Sequence, residues 1–332
     1  MNTMTTAEFM EYGGPEQVSL QQRPMPSVGA DQLLVKTLAT TVSAADSRIR
    51  SLTVPKGYGL IMRLMFGLCR PRIRVLGTEM VGEVVAVGNR VSRFQCGDLV
   101  VGYSGSKLGC HAEYRLFRET DAVIPKPARL AVDEAAALAF GGTAALDFLV
   151  NKGRLQAGEK VLVIGAAGAV GSAAVQLAHH LGAEVTAVCS AANAELVRSL
   201  GTADVIDYQQ QDPLEQAERY DVIFDAVGGN TIERLEWALK PSGRALLVVA
   251  DLPITLKATF HKALAGKQLI AGVASESAEV LQQLGKQVAE GALVPVIDGI
   301  YSFSEIADAH RRTDSGHKRG SVVVRVTALS AL

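Results

Sequence analysis

Three glycines spaced three residues apart carry the most direct chemistry in this sequence. They lie in Val161-Leu-Val-Ile-Gly165-Ala-Ala-Gly168-Ala-Val-Gly171, after which an Ala- and Leu-rich stretch runs to His179. The pattern predicts a buried strand, a tight turn and a helix opened by small residues. A helix N-terminus has unpaired backbone N–H groups and the positive end of its dipole, so it can hold a pyrophosphate. Gly165 fits the turn, Gly168 lets backbone approach the phosphates, and Gly171 lets helix and strand pack closely. The alternative is a purely structural turn, since strands and helices often meet at glycines.

The second predicted strand of this unit, Glu184-Val-Thr-Ala-Val188, bears on which dinucleotide would sit there. An acidic residue at its end would bind a ribose 2′-hydroxyl and repel a 2′-phosphate. The chain continues instead as Cys189-Ser190-Ala-Ala-Asn193. Ser190 and Asn193 can donate to a phosphate, and Tyr208, after the next strand, adds a third donor. The expectation is NADPH in preference to NADH. Ser190 and Asn193 could instead simply cap the following helix.

The elements that must position these groups come in two textures. From Ala7 to about Ile124, short strands are punctuated by Gly and Pro, with Gly13-Gly14 and Gly97-Asp98 as turns. An alanine-rich helical stretch follows over Ala131–Asn151. Strands and helices then alternate through Arg244–Val249 to a last candidate strand at Gln268–Val273. That alternation predicts a parallel sheet wrapped by helices. A helix over Ser277–Glu290 leads to Val294–Ile300 and Ser321–Val326, which look able to return to the first unit.

At 332 residues the chain is long enough for two domains. Lys+Arg number 33 against Asp+Glu 34, so no global field favours nucleic acid or a membrane surface. Cys69, Cys96, Cys110 and Cys189 are scattered without metal-ligand spacing, which suits free thiols in a reducing compartment. The first residues lack the apolar core of a signal peptide, and no apolar run reaches the ~18–20 residues of a membrane span. The expected setting is cytoplasmic.

The first domain adds a resemblance. Gly77-Thr-Glu79-Met-Val-Gly82-Glu-Val-Val-Ala-Val-Gly88 resembles the G-H-E-x-x-G-x-V-x-x-V-G signature of medium-chain dehydrogenases/reductases. Val91-Ser-Arg-Phe94-Gln-Cys-Gly97-Asp98, Gly109-Cys-His-Ala112-Glu113-Tyr114, Pro125-Lys126-Pro127, Gly142-Thr143-Ala144 and the glycine turn follow in the family's order. The resemblance implies an α/β chain: a GroES-like β-rich domain over 1–124, rejoined by 291–332, plus a Rossmann doubly wound parallel-sheet domain over 125–290. It further implies an active site in the cleft between them and a homodimer paired through the Gln268–Val273 edge. Thr143, Ala169, Val170 and Val227 join Gly165, Gly168, Gly171, Ser190, Asn193 and Tyr208 as the residues expected to bind the cofactor.

Departures from the family pattern bear on the chemistry. Where its zinc enzymes place a Cys, the His of G-H-E and a later Cys or acid, this chain has Ser43, Thr78 and Ala139. Two hydroxyls and a methyl do not make a zinc site. The chain therefore resembles the zinc-independent branch of quinone oxidoreductases, zeta-crystallin-like proteins and enone or enoyl reductases. Lacking a Lewis acid, such a site suits conjugated acceptors, in which charge spreads into an enolate or hydroquinone. The expected substrate is a small apolar conjugated carbonyl or quinone. A non-catalytic NADPH-binding protein and a zinc-free NAD(P)-dependent alcohol dehydrogenase are the alternatives.

On the substrate side, Ser43 stands where quinone reductases of this branch usually carry Asn; it could bond substrate or cap a turn. Tyr58 could donate a proton or simply pack. These two are the expected catalytic residues. Asp46 suits a structural hydrogen bond, and Arg48 takes a place where related reductases present Tyr. The stretch Gly57–Arg74 is unusual, because every charged side chain between Asp46 and Glu79 is basic. Its apolar residues could form a flap over the substrate, a core helix with a basic rim, or a contact with anionic membrane.

Overall fold

The computed structural model describes residues 2–260 and 266–327, and divides them between two units. One comprises Met1–Val54, Gly59–Phe140 and Glu276–Leu332; the other comprises Pro55–Tyr58 and Gly141–Ser275. The chain opens with a hairpin of β1 (Thr3–Phe9) and β2 (Val18–Pro24), then runs through β3 (Gln32–Val42), α1 (Ala44–Ser51) and α2 (Gly59–Phe66). Next come β4 (Glu79–Val87), β5 (Leu99–Tyr103), β6 (Tyr114–Arg118), β7 (Ala122–Pro125) and the short α3 (Val132–Ala136).

The second unit is a repeating strand–helix succession. It contains α4 (Ala139–Leu146, straddling the joint), β8 (Lys160–Ile164), α5 (Ala169–His180), β9 (Glu184–Cys189), α6 (Ala194–Ser199) and β10 (Asp204–Asp207). β11 (Tyr220–Asp225), α7 (Ile232–Ala238), β12 (Leu239–Leu247), α8 (Leu252–Phe260) and β13 (Gln268–Ala271) complete it. The chain then returns with α9 (Ala278–Ala289), β14 (Ile297–Ser302), α10 (Ile306–Asp314) and β15 (Ser321–Arg325).

In the first unit, seven strands form a sheet in the order β14-β15-β3-β4-β5-β7, with β6 also on β3. β3 is its spine. One edge pairs with β4; the other is shared by β6 near its start (Gln32↔Arg118) and β15 near its end (Val42↔Val322). Both faces of β3 are covered. Leu33 and Val35 pack with Val84, Val100 and Phe117, while Val42 packs with Phe9, Leu108 and Val324.

In the second unit the order β10-β9-β8-β11-β12-β13 is parallel throughout. Strands buried on both faces need continuous apolar runs, which Val161–Ile164 and Val222–Phe224 supply. β13 is an edge of this sheet.

The sequence places the joints after 124 and 290, whereas the compact units divide after 140 and 275. α9 accounts for part of the difference: it packs on β7, with Gly285 facing the Ile124 side chain. Two helices that the strand-rich texture conceals, α1 and α10, are tied together. The guanidinium of Arg50, wholly buried, donates to Asp314 (2.5 Å), the Gly13 carbonyl (2.5 Å) and His310 Nδ1 (3.4 Å). Burial holds the His310 pKa well below its usual range.

Candidate functional site

The glycine turn occupies the crest of the parallel sheet between β8 and α5. Gly165 adopts φ +82°, a left-handed conformation that glycine alone adopts cheaply, and a Cβ there would lie 2.6 Å from Val227 Cγ2. Gly171 sits against the turn, where a Cβ would come within 2.0 Å of the Gly165 carbonyl oxygen. Its role is close packing of helix on turn. Gly168 differs from both. Its φ is −79°, and a Cβ would meet only the Gly165 oxygen at 3.6 Å. Any residue can adopt this backbone, and the space beside it is open.

Ser172 N–H to the Gly168 carbonyl (2.8 Å) is the first turn of α5, so Ala169, Val170 and Gly171 present N–H groups ahead of it. A partner for the turn comes from α4: a Cβ at Gly141 would lie 2.5 Å from the Ala169 carbonyl oxygen. Thr143, two residues on, is buried. Val227 is exposed beside Gly165, and its N–H is held by the buried Asp225 carboxylate (2.9 Å). Asp225 also accepts from Gly228 N–H and Asn230 Nδ2, which fixes the loop. Sequence reasoning missed both Gly141 and Asp225.

At the end of β9, Asn193 Nδ2 donates to Ser190 Oγ (3.2 Å). Neither side chain caps a helix, so the capping alternative is not what the structure shows. Tyr208 is half exposed at the end of β10, its N–H on the Cys189 carbonyl (3.3 Å). Two charges there escaped the sequence reading. Asp207 stands in register with Cys189, its carboxylate turned to the Gln209 N–H, and Arg198 is close enough to act electrostatically on Cys189. Scanning β9 alone overlooks Asp207, which belongs to the neighbouring strand.

In the first unit, Ser43 caps α1 in a reciprocal box. Asp46 N–H donates to Ser43 Oγ (3.2 Å), while Ser43 N–H and Oγ–H both donate to Asp46 Oδ2 (2.8 and 2.6 Å). The second carboxylate oxygen takes Gly77 N–H (2.7 Å). The Ser43 hydroxyl proton is thus committed, leaving only acceptor capacity. The other expected catalytic residue, Tyr58, belongs to the second unit, where its hydroxyl donates to Thr255 Oγ1 (3.0 Å). Segment 55–58 is moored there by Lys56 N–H to Asp251 and Leu252 N–H to the Lys56 carbonyl.

Glu79, one residue past Thr78, is a buried acid to which the sequence reading gave no role. It accepts from Thr41 Oγ1 (2.6 Å) and Phe140 N–H (2.8 Å), yet burial pushes its pKa up to about 7. Thr78 Oγ1 is buried without a hydrogen-bond partner, and Ala139 is buried. Ser43, Thr78 and Ala139 do not form a zinc donor set. Among the described residues there is no group of three His, Cys, Asp or Glu able to hold a metal ion. Cys110 is buried, its thiol pKa pushed up to about 11, and His111 Nε2 bonds the Thr41 carbonyl (2.9 Å).

Comparison with known proteins gives this geometry its context. An alcohol dehydrogenase GroES-like domain model matches residues 29–128, and a zinc-binding dehydrogenase model matches residues 200–324. A mitochondrial NAD(P)H oxidoreductase of Danio rerio is 31% identical over 280 residues, covering 76% of this chain and 72% of its own. The chain belongs to the medium-chain dehydrogenase/reductase family. An NADPH-dependent alkenal/one oxidoreductase of Arabidopsis thaliana is 29% identical, covering 95% of this chain and 78% of its own. The structure of a quinone oxidoreductase from Coxiella burnetii superposes with TM-score 0.83 at 28% identity, covering 98% of this chain and all of the other. This medium-chain dehydrogenase/reductase is an oxidoreductase with a GroES-like unit and a Rossmann-like parallel-sheet unit. No described helix is long and apolar enough to cross a membrane.

Proposed function

We propose that the chain is an NADPH-dependent, zinc-independent reductase that delivers hydride to the β-carbon of an α,β-unsaturated carbonyl or to a quinone. One observation carries the reading. An open helix N-terminus at α5 coexists with Ser43, Thr78 and Ala139 where the family's zinc enzymes place ligands. Ala169, Val170 and Gly171 would hold the pyrophosphate by their N–H groups, with the space at Gly168 left for it. Ser190, Asn193 and Tyr208 would meet a 2′-phosphate, with Arg198 adding positive charge. When bound, the nicotinamide supplies the hydride. The negative charge would pass into an enolate or a hydroquinone monoanion, which a proton then neutralises, and conjugation replaces the Lewis acid.

The relatives named for quinone and alkenal substrates support this reading. We also propose a homodimer paired along the β13 edge, since an open apolar edge strand is an aggregation hazard that natural proteins cover. The cytoplasm remains the proposed setting. The test is steady-state NADPH oxidation against a panel of quinones and enones, beside NADP reduction by simple alcohols. Turnover of conjugated acceptors that survives a strong chelator supports the proposal. Alcohol oxidation lost on removal of one tightly held zinc would overturn it.

A further inference from the structure

α2 is built inside out. Helices on globular proteins turn their apolar stripe to the core. Here only Phe66 is buried and Met62 half-buried, both against the cluster of Phe9, Leu76 and Leu108. Leu60, Ile61, Leu64, Met65 and Leu68 are between 40% and 67% exposed. At about 100° per residue, the four within the helix, Leu60, Ile61, Leu64 and Met65, fall within one arc of roughly 140°, and Leu68 follows just past its end. They form a single apolar ridge facing solvent, which removes the core-helix reading of this segment.

The ridge is rimmed by positive charge. Arg63, Arg70, Arg72 and Arg74 are exposed, and no acidic residue occurs between Asp46 and Glu79. Arg63 and Arg72 are braced on the ridge itself, donating to the Leu68 and Leu64 carbonyls (2.6 and 3.3 Å). Among the described residues Glu11 accepts from Arg70 at 3.4 Å, and Glu8, itself paired with Arg23, acts electrostatically on Arg74. The chain as a whole carries a net charge of −1, so this is a local concentration of positive charge.

We propose that α2 docks this chain on an anionic lipid surface, with the ridge entering the headgroup boundary and the arginines meeting lipid phosphates. Apolar side chains flanked by arginines match such an interface chemically. A second copy fits poorly, because a two-fold contact would set the arginine rim against itself. A nucleic acid would pair with the rim but leave the leucines uncovered. The proposal stands apart from the reductase reading.

Co-sedimentation with vesicles tests it. Vesicles of phosphatidylglycerol and phosphatidylcholine in equal parts should bind the protein, and phosphatidylcholine alone should not. Added salt should weaken the binding. Leu60→Ser with Leu64→Ser should cost about tenfold per leucine, and Arg70→Gln or Arg72→Gln about fivefold each. These side chains are exposed, so circular dichroism and thermal melting should stay unchanged. In a Cys96→Ser background, a polarity-sensitive probe on exposed Cys69 should respond to the anionic vesicles only. Failure of the folded protein to bind anionic vesicles would overturn the proposal. So would binding that these variants leave intact. Loss of concentration-dependent self-association in the leucine variant, without vesicle binding, would assign the ridge to a second copy. A raised KM without any vesicle effect would assign it to a substrate flap.

Discussion

At Gly165–Gly171 the working groups are backbone N–H donors left open at a helix end, whereas around Ser43, Asp46 and Glu79 the polar side chains bond one another. The first arrangement stores little of the fold's stability in the atoms that would touch a ligand. The second uses the Ser43 and Thr41 hydroxyls and the Asp46 and Glu79 carboxylates to hold β3, α1 and residues 77–79 in place. A small change should therefore strike binding in one region and the folded state in the other.

Gly168→Val gives the sharpest contrast. Its backbone is extended and the adjoining space open, so the fold should survive while the branched side chain fills the space proposed for the cofactor. The stabilisation of roughly 4 kcal/mol that a ligand gives at about 1,000 times its Kd should vanish. Thermal melting with and without NADPH measures this. A folded variant that still gains full stability would break the comparison.

Glu79→Gln probes the other region through pH. Between its ordinary 4.5 and about 7, the folded chain keeps a proton at Glu79 that the unfolded chain has released. The group's contribution is therefore most favourable at low pH and declines as pH rises through that window. Relative to the unaltered protein, the glutamine variant should gain about 3 kcal/mol between pH 4.5 and 8. Urea titrations at the two ends of the range test it, and a pH-independent difference would mean that the acid is not held protonated.

A third variant shows that the glycine turn is not uniform. Gly165→Ala combines positive φ with a clash on Val227, so it should cost stability directly, by about 1–2 kcal/mol even without cofactor. Equal stability in denaturant would show that the turn relaxes. The smallest effect is one of selectivity. Ser190→Asp should weaken NADPH by about tenfold while leaving NADH little changed, through charge repulsion at the end of β9. Fluorescence titration with both cofactors decides it; parallel losses would place the 2′-phosphate elsewhere.

The same contrast explains what the sequence made legible. β8, the turn and α5 could be read because doubly buried parallel strands are apolar runs and the turn must use glycine. α1 was harder: Ala-Ala-Asp-Ser-Arg-Ile-Arg-Ser offers Ile49 as its one large apolar anchor, and its readable signal was the Ser43–Asp46 spacing of a cap. Gly141 resembles any small residue in an alanine-rich helix until its approach to the Ala169 carbonyl is seen. Glu79 could be matched to a motif, but its burial comes from strands and helices far apart in sequence. Ser43 stands out by its place in the family pattern and Tyr58 by residue type; the cap spacing announces the partner of the first hydroxyl, whereas no spacing rule announces Thr255 as the partner of the second. The joints moved because α9 follows β13 in sequence yet belongs with β7 in space.

The pairing of β15 with β3 also sets an order of assembly during synthesis. The parallel sheet of the second unit is complete once β13 has emerged, although that unit is inserted within the other. β3 must wait much longer, since the edge beside Val42 has no partner until Ser321–Arg325 is made. Throughout that interval the earliest long apolar strand presents open backbone groups, a natural landing place for a chaperone or for another nascent chain. A chain halted just before β15 should therefore aggregate even though its cofactor-binding half is already built, and sedimentation of such truncated chains would show it.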